Sequence, residues 1–304
     1  MTKSEENIRK YDICMSIGNP IKAKEKLDWN SKSSWNNVVD ELCKKKKVII
    51  PYFSIVIPTF NSEKYLKETL NSLVSQSYKD FEVIVMDNNS TDKTQDIVMS
   101  YVDHLDIIFI QEQDDGMYDA IQKGFSRSNG NVLCYLNSDD RYLHQTLMSV
   151  YEEFISTNAE LIFGDMYIDN GTYFRKVIYP RVNSFFFQSA EYSLIGQPSA
   201  FWTRKAYFEV GEINGDYKMA GDYDLFCRLI SRRTIKLNNI LSIFRLHPQS
   251  LTSNFSINSK KEMDIIRKQY NKNWASILIG SKIAGIYFKL VNLGTRFEKI
   301  KDKA

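Results

Sequence analysis

From Phe53 onward the chain alternates short apolar runs with stretches in which apolar residues recur every three or four positions. "FSIVIP", "DFEVIVMD", "DIIFIQ" and "NVLCYL" are compact, β-branched runs that read as buried strands. Between them "SEKYLKETLNSLVSQS", "TDKTQDIVMSYV" and "MYDAIQKGFSRS" read as amphipathic helices. In the first of these Tyr65, Leu66, Leu70, Leu73 and Val74 share one face, and Ser62 is placed to cap it. Strand, helix, strand in repetition predicts an α/β fold with a parallel sheet and helices on its faces. Beyond Asn137 the pattern loosens into strands "ELIFGDMYI" and "TYFRKVIYP", an aromatic loop "NSFFFQ", a helix from about Asp222 and a late strand "ILSIFRLH". From Lys260 the chain reads as helix, "WASILIGSKIAGIYFKLV" being its most apolar part. Three parts are expected: a polar lead-in over 1–51, an α/β domain over 52–255 and a helical segment over 256–304.

Composition narrows the classes. With 304 residues, 43% hydrophobic and 25% charged, the chain is an ordinary globular protein able to bury a full core. A net charge of +3 is too small for bulk attraction to nucleic acid, and the run Lys44, Lys45, Lys46, Lys47 reads as a solvated charge cluster. Cys14, Cys43, Cys134 and Cys227 lie far apart with no C-x-x-C pair, so neither a zinc site nor a disulfide framework is expected and a reducing cytoplasm fits. "MTKSEENIRKYD" has no apolar signal core, and no run reaches the roughly 18 apolar residues of a spanning helix.

Candidate chemistry gathers where the strands end. The first ends in Pro58, Thr59, Phe60 and Asn61; the second in Asp87, Asn88, Asn89, Ser90, Thr91 and Asp92. The third leads into Asp114, Asp115 and Gly116, the fourth into Asn137, Ser138, Asp139 and Asp140. Any one of these could be a turn or a helix cap, and for Asn61, Ser90 and Asp92 that reading is at least as strong as a ligand role. Together they line one rim of a parallel sheet, where ligands bind beyond the carboxyl ends of the strands. A phosphate-bearing ligand with a divalent cation would neutralise such a rim. No G-x-x-x-x-G-K-[ST] or G-x-G-x-x-G loop follows the first strand, so metal and side chains must hold the phosphates.

The segment "SIVIPTFNSEKYLKETLNSLVSQSYKDFEVIVMDNNSTDKT" closely resembles the opening of family 2 glycosyltransferases of the bacterial surface-polysaccharide type, which have the GT-A fold. The likeness continues in "DDGMYDAIQKGFSRSNGNVLCYLNSDD", "GQPSAFWTRKAYFEVGEINGDYKMAGDYDLFCRL" and "FRLHPQSLTS", four motifs in order over 53–253. It implies a Rossmann-like, mostly parallel central sheet with helices on both faces and a helical C-terminal extension. It also implies an inverting, metal-dependent transfer from a nucleotide-sugar, UDP-linked by expectation, to a glycan or lipid-linked glycan hydroxyl.

By the same resemblance Thr59 and Asp87, with Pro58, Asn61 and Asn89 around them, hold the nucleotide, and Asp115 and Lys123 add contacts, although Lys123 reads equally as a solvated helix residue. The family's D-x-D motif falls on Asn137, Ser138 and Asp139. Asp139 becomes the ligand of Mg2+ or Mn2+, and Asp140 has the alternative of capping the next helix. A carboxylate oxygen can bind such an ion at about 2.1 Å while the ion also holds phosphate oxygens. Asn137 departs from the acidic pattern; its amide can hydrogen-bond a ribose hydroxyl but adds no charge. Asp222 becomes the general base at a helix N-terminus; capping alone is the alternative, and the two roles are compatible. Asp224, two residues on, is expected to pair with Arg228 at i+4. His247 is read as a metal ligand, a diphosphate contact or a satisfied loop histidine, and Gln197 and Trp202 as acceptor contacts, with a core role the alternative for Trp202.

Two other classes stay open: a sugar-nucleotide nucleotidyltransferase, against which "PTFNSEKY" lacks a glycine- and arginine-rich loop, and a non-catalytic membrane-associated assembly subunit, which Asn137 alone favours. The tail carries Ile277, Ile279, Ile283, Ile286, Phe288 and Leu290, with Lys282, Lys289, Arg296, Lys299 and Lys301 available to a polar face. It suits either a membrane interface or docking on the catalytic domain or another subunit. The expected location is the cytoplasm, peripheral to the inner face of the cell membrane, with self-association left open.

Overall fold

The computed structural model describes residues 51–181, 183–190, 193–248, 250, 257–270, 274–295 and 297–299. The lysine run at 44–47, Cys14 and Cys43 lie outside the described residues. Four apolar runs form the expected parallel strands: β1 (Phe53–Thr59), β2 (Phe81–Asp87), β3 (Ile107–Gln111) and β4 (Val132–Tyr135). β1 pairs in parallel with β2 and β4, and β2 with β3, giving the order β3-β2-β1-β4.

Helices cover both faces because the strands are apolar on both faces. Phe53, Ile55 and Ile57 of β1 join one core with Leu66, Leu70 and Leu73 of α1 (Leu66–Val74). Val56, between them, joins a second core with Tyr118, Ile121 and Phe125 of α3 (Met117–Ser126). Such complete burial stabilises by about 1.5–3 kcal/mol per large aliphatic side chain. α2 (Thr94–Met99) completes the crossover from β2 to β3.

The second half is mixed. β5 (Arg141–Tyr142), α4 (Thr146–Ser156), β6 (Leu161–Asp169) and β7 (Tyr173–Val177) follow β4, and β8 (Ala200–Thr203) then inserts antiparallel between β4 and β6. β7 pairs antiparallel with β6, while β9 (Thr234–Arg245) pairs in parallel with β6 and antiparallel with β5. The short β10 (Phe297–Lys299) closes on β7. The sheet is therefore parallel where the helix-strand repeat is regular and mixed where it loosens, the β6–β9 pair being parallel and its other neighbours antiparallel.

"NSFFFQ", expected to be a loop, is part of a helix, α5 (Ser184–Ser189). Asn183 caps it, its side-chain oxygen accepting from the Phe186 amide at 3.0 Å, and Phe187 is buried beneath. Ser62 does not cap α1: α1 starts after Tyr65, and the Ser62 hydroxyl instead accepts from the Phe60 amide at 3.3 Å. α6 (Arg204–Val210) and α7 (Gly221–Leu229) precede β9, and α8 (Ile257–Tyr270) and α9 (Trp274–Val291) follow it. Cys134 and Cys227 are free and buried, burial pushing the Cys134 thiol up to about 12, so it stays an inert thiol. Among the described residues no helix is long and apolar enough to cross a membrane.

Candidate functional site

Beyond the carboxyl ends of β1 to β4 lies a cleft of about 680 Å³. All four strand ends reach it, through Pro58, Thr59 and Asn61, through Asn88, through Asp114, and through Asn137, Ser138 and Asp139. Gln197, Asp222 and His247 close it from the second half of the fold.

One corner is built by β4 and the end of β9. The Oδ2 atom of Asp139 and Nε2 of His247 are 2.8 Å apart, with Asp139 23% exposed and His247 14%. The Tyr65 ring orders this corner, lying 4.9 Å from the His247 ring and 4.5 Å from the Arg245 guanidinium. Arg245 also pairs with Glu68, and its amide donates to Asp140 Oδ1 at 2.9 Å. Asp140 is thus no helix cap: it is wholly buried, ties the end of β9 to the turn between β4 and β5, and its pKa is pushed well up by burial and the neighbouring Asp139. The Ser138 hydroxyl donates to Ser62 Oγ at 2.9 Å. Among the described residues the buried Oδ1 atom of Asn137 has no hydrogen-bond partner, although its Nδ2 donates to Asp140 at 3.3 Å.

The second corner is the start of α7. Asp222 sits in its first turn, where its Oδ1 accepts from Tyr118 Oη at 2.9 Å and from the Tyr223 amide at 2.8 Å. Burial raises the Asp222 pKa, and the Tyr118 and Tyr223 bonds oppose that rise. The close approach needs Gly221: a Cβ there would stand 2.7 Å from the Tyr118 ring. The turn leading into α7 is held by Glu262 of α8, whose carboxylate accepts from the amides of Lys218, Met219 and Ala220 at 3.1, 2.9 and 3.1 Å. Asp224 faces away, bridged to Arg228 at 2.8 Å as its i,i+4 spacing implied, and accepts from Tyr270 Oη at 3.0 Å.

Several expected contacts change. Asp87 points inward: its carboxylate accepts from Thr59 Oγ1 at 2.9 Å, from the Ser90 amide at 2.9 Å and from Gln111 Nε2 at 3.2 Å, fastening three strand ends together. The residue after β2 that lines the cleft is Asn88, in a reciprocal pair with Asp114: its Nδ2 donates to Asp114 Oδ1 at 3.0 Å and its Oδ1 accepts from the Asp114 amide at 3.1 Å. Burial raises the Asp114 pKa. Asn89 is exposed and occupies the left-handed region (φ 52°), a turn position rather than a cleft wall. Asp115 is exposed one residue beyond Asp114, and Lys123 bridges Asp119 at 2.8 Å on the surface of α3, so neither lines the cleft. Trp202 is fully buried, ringed by Phe125, Tyr135 and Phe226, and cannot stack on an acceptor. Gln197 does line the cleft, its Nε2 donating to the Tyr135 carbonyl at 2.8 Å.

Residues 54–233 match the family model described as glycosyl transferase family 2. The chain belongs to that family. Among curated relatives of this family 2 member, glycosyltransferase GlyA of Streptococcus pneumoniae is 25% identical over 222 residues, covering 66% of this chain and 31% of GlyA, so the chain spans under a third of that relative. A PGL/p-HBAD biosynthesis glycosyltransferase of Mycobacterium bovis is 30% identical over 185 residues, 60% of this chain and 70% of the relative. Two solved structures share the GT-A fold with the family 2 chain. S. aureus TarS, in complex with UDP-GlcNAc, superposes with a TM-score of 0.60 at 21% identity over 72% of this chain and 66% of that one. The mannosyltransferase PcManGT of Pyrobaculum calidifontis, in complex with GDP-Man and Mn2+, does so at 0.56 and 16% identity over 80% and 71%.

Proposed function

We propose that this family 2 protein transfers a sugar, with inversion at the anomeric carbon, from a UDP-sugar to a glycan hydroxyl in surface-polysaccharide synthesis. The observation that carries the reading is the convergence on one cleft of two acidic centres in different settings: Asp139 beside His247, and Asp222 beneath Tyr118. Phe60, 62% exposed at the cleft, offers a stacking face for a nucleobase, with Asn88 and Asp114 as polar neighbours. A ribose hydroxyl donating to Asn137 Oδ1 would satisfy a buried acceptor whose desolvation otherwise costs about 1–3 kcal/mol.

A divalent cation fits the Asp139 corner by donor chemistry, since a carboxylate oxygen and an imidazole nitrogen converge there. Among the described residues no group of three or more His, Cys, Asp or Glu side chains is assembled, so Mg2+ or Mn2+ would need phosphate oxygens to complete its shell. When bound it supplies positive charge for the departing diphosphate. Asp222 acts on the acceptor. As the acceptor oxygen bonds to the anomeric carbon, the carbon–oxygen bond to the diphosphate breaks with its electron pair on UDP, and the hydroxyl proton passes to the Asp222 carboxylate. Gln197 is assigned to the acceptor side. The protein works in the cytoplasm, against the inner membrane face when the acceptor is lipid-linked.

Two residues outside the expected set tune the base. Tyr118→Phe removes a bond that stabilises the Asp222 carboxylate, so its pKa rises further and the acidic limb of the rate profile moves to higher pH. Measured kcat/KM against pH reads this; an unmoved limb contradicts it. Glu262→Gln sets an amide NH2 against backbone amides in the 218–220 turn and displaces Asp222, lowering kcat by roughly ten- to a hundredfold with donor affinity unchanged. Full kcat in this variant removes Glu262 from a positioning role. Thermal-shift measurements with UDP, GDP, dTDP and CMP, with and without Mn2+, test the donor reading. Bound ligand at a hundredfold excess over Kd stabilises by about 2.7 kcal/mol, so UDP with Mn2+ is expected to raise Tm and CMP is not. No response to any nucleoside diphosphate overturns the proposal.

A further inference from the structure

The tail helix α9 has two apolar faces, and the fold uses one of them. Gly280, Ala284 and Phe288, at i, i+4 and i+8, turn toward the domain. A Cβ at Gly280 would stand 2.6 Å from Ser189 Cβ, Ala284 is 2% exposed, and the Phe288 and Tyr179 rings are 5.9 Å apart. Just past the helix, Asn292 finishes the seam, its Nδ2 donating to the Ile178 carbonyl at 2.8 Å and its Oδ1 accepting from the Ile178 amide at 2.9 Å. Docking on the catalytic domain therefore accounts for the small-residue stripe and leaves the other face unexplained.

That other face is a stripe of large aliphatic residues in water. Ile279, Ile283, Ile286 and Leu290, at i, i+4, i+7 and i+11, are 60%, 46%, 59% and 56% exposed. At 100° per residue they span an arc opposite Gly280, Ala284 and Phe288. Lys282 and Lys289, seven residues apart and both exposed, run along one border of the arc. From Trp274 to Thr295 the sequence has no other charged residue and no acid. We infer that this face of α9 lies in the interface of an anionic membrane, with the aliphatic stripe among the acyl chains and Lys282 and Lys289 at the headgroups.

Charge selects the lipid over a second copy of the chain. Two α9 helices packed through the stripe would gather four lysines along their borders with no carboxylate on either helix to answer them. An anionic surface answers each lysine, and the long stems let the ammonium groups reach headgroups while the stripe stays immersed. The helix is already anchored along its inner face, so it lies on the bilayer without leaving the domain. This deepens the membrane placement proposed above but rests on the geometry of α9 alone, so it is read without any transfer assay.

Sedimentation of the full chain with phosphatidylcholine vesicles, with and without phosphatidylglycerol, tests it. The protein is expected to sediment with the anionic vesicles and far less with the neutral ones. Neutralising both lysines (Lys282→Gln with Lys289→Gln) is expected to weaken partitioning on the order of thirtyfold, from about 1 kcal/mol for each cation near such a surface. Ile279→Ser with Ile286→Ser is expected to abolish binding while the melting temperature holds, since neither residue faces the domain. Wild-type protein that stays in the supernatant overturns the inference, as does binding that both double variants retain. Self-association of wild-type protein in sedimentation velocity that is lost in Ile279→Ser with Ile286→Ser, without vesicle binding, assigns the face to a second copy and overturns it too.

Discussion

Asp222→Asn is expected to lower sugar transfer by roughly two to four orders of magnitude while donor binding stays at the wild-type level. The amide oxygen can still accept from Tyr118 Oη and the Tyr223 amide, so the local geometry survives and only the proton acceptor is lost. Stability separates this from a folding defect. Burial holds the Asp222 pKa above its ordinary value, so the folded state binds that proton more tightly than the unfolded chain does. The group's unfavourable contribution is complete above its raised pKa and disappears below the unfolded one. The variant, fixed in the neutral form, should therefore melt no lower than wild type at neutral pH, and any advantage should fade on acidification. Single-turnover transfer and calorimetric donor titration on the same preparation decide: near-normal transfer moves the base elsewhere, with Asp224 excluded from the cleft by its bridge to Arg228.

Asp139→Ala should eliminate the Mn2+-dependent part of UDP binding and turnover with it. The variant removes the carboxylate of the Asp139–His247 pair, leaving the imidazole, and would leave the diphosphate without a counter-charge. Asn137→Asp acts in the opposite direction, adding a carboxylate two residues from Asp139, and should keep activity or raise metal affinity. Titration of UDP in Mn2+ and in chelator, for wild type and both variants, reads the difference. Metal-dependent UDP binding that is unchanged in Asp139→Ala removes Asp139 from the metal site.

Much of this architecture is legible from the sequence because the chain changes character abruptly where β1 to β4 end. A buried apolar run broken by Asn137 to Asp140 could be a turn on its own, but four such breaks share one sheet edge, and all four strand ends do reach one cleft. Within each polar cluster the pattern gives no direction. Asp87 and Asn88 are adjacent at the end of a strand, and only the hydrogen bonds from Thr59, Ser90 and Gln111 reveal that the carboxylate turns inward and leaves the cleft to the amide. Asp114 and Asp115 differ in the same way. Trp202 was ambiguous because a four-residue strand, β8, is too short to show its periodicity, and its place between β4 and β6 decides its burial. Glu262 has no sequence signal: it lies 40 residues past Asp222, and only the tertiary fold brings α8 to the turn that carries the base.

A single displacement in the cleft, with Asp222 on the face opposite the diphosphate, fixes the anomeric outcome, which can be read without knowledge of the natural acceptor. Water can stand in for the acceptor hydroxyl, so the slow hydrolysis of whichever UDP-α-sugar raises Tm in the screen can be followed by proton NMR, reading the anomeric doublet before mutarotation. The first free sugar to appear is expected to be the β anomer, and Asp222→Asn is expected to suppress its formation. An α anomer appearing first, at a rate that Asp222→Asn leaves unchanged, would contradict the single displacement.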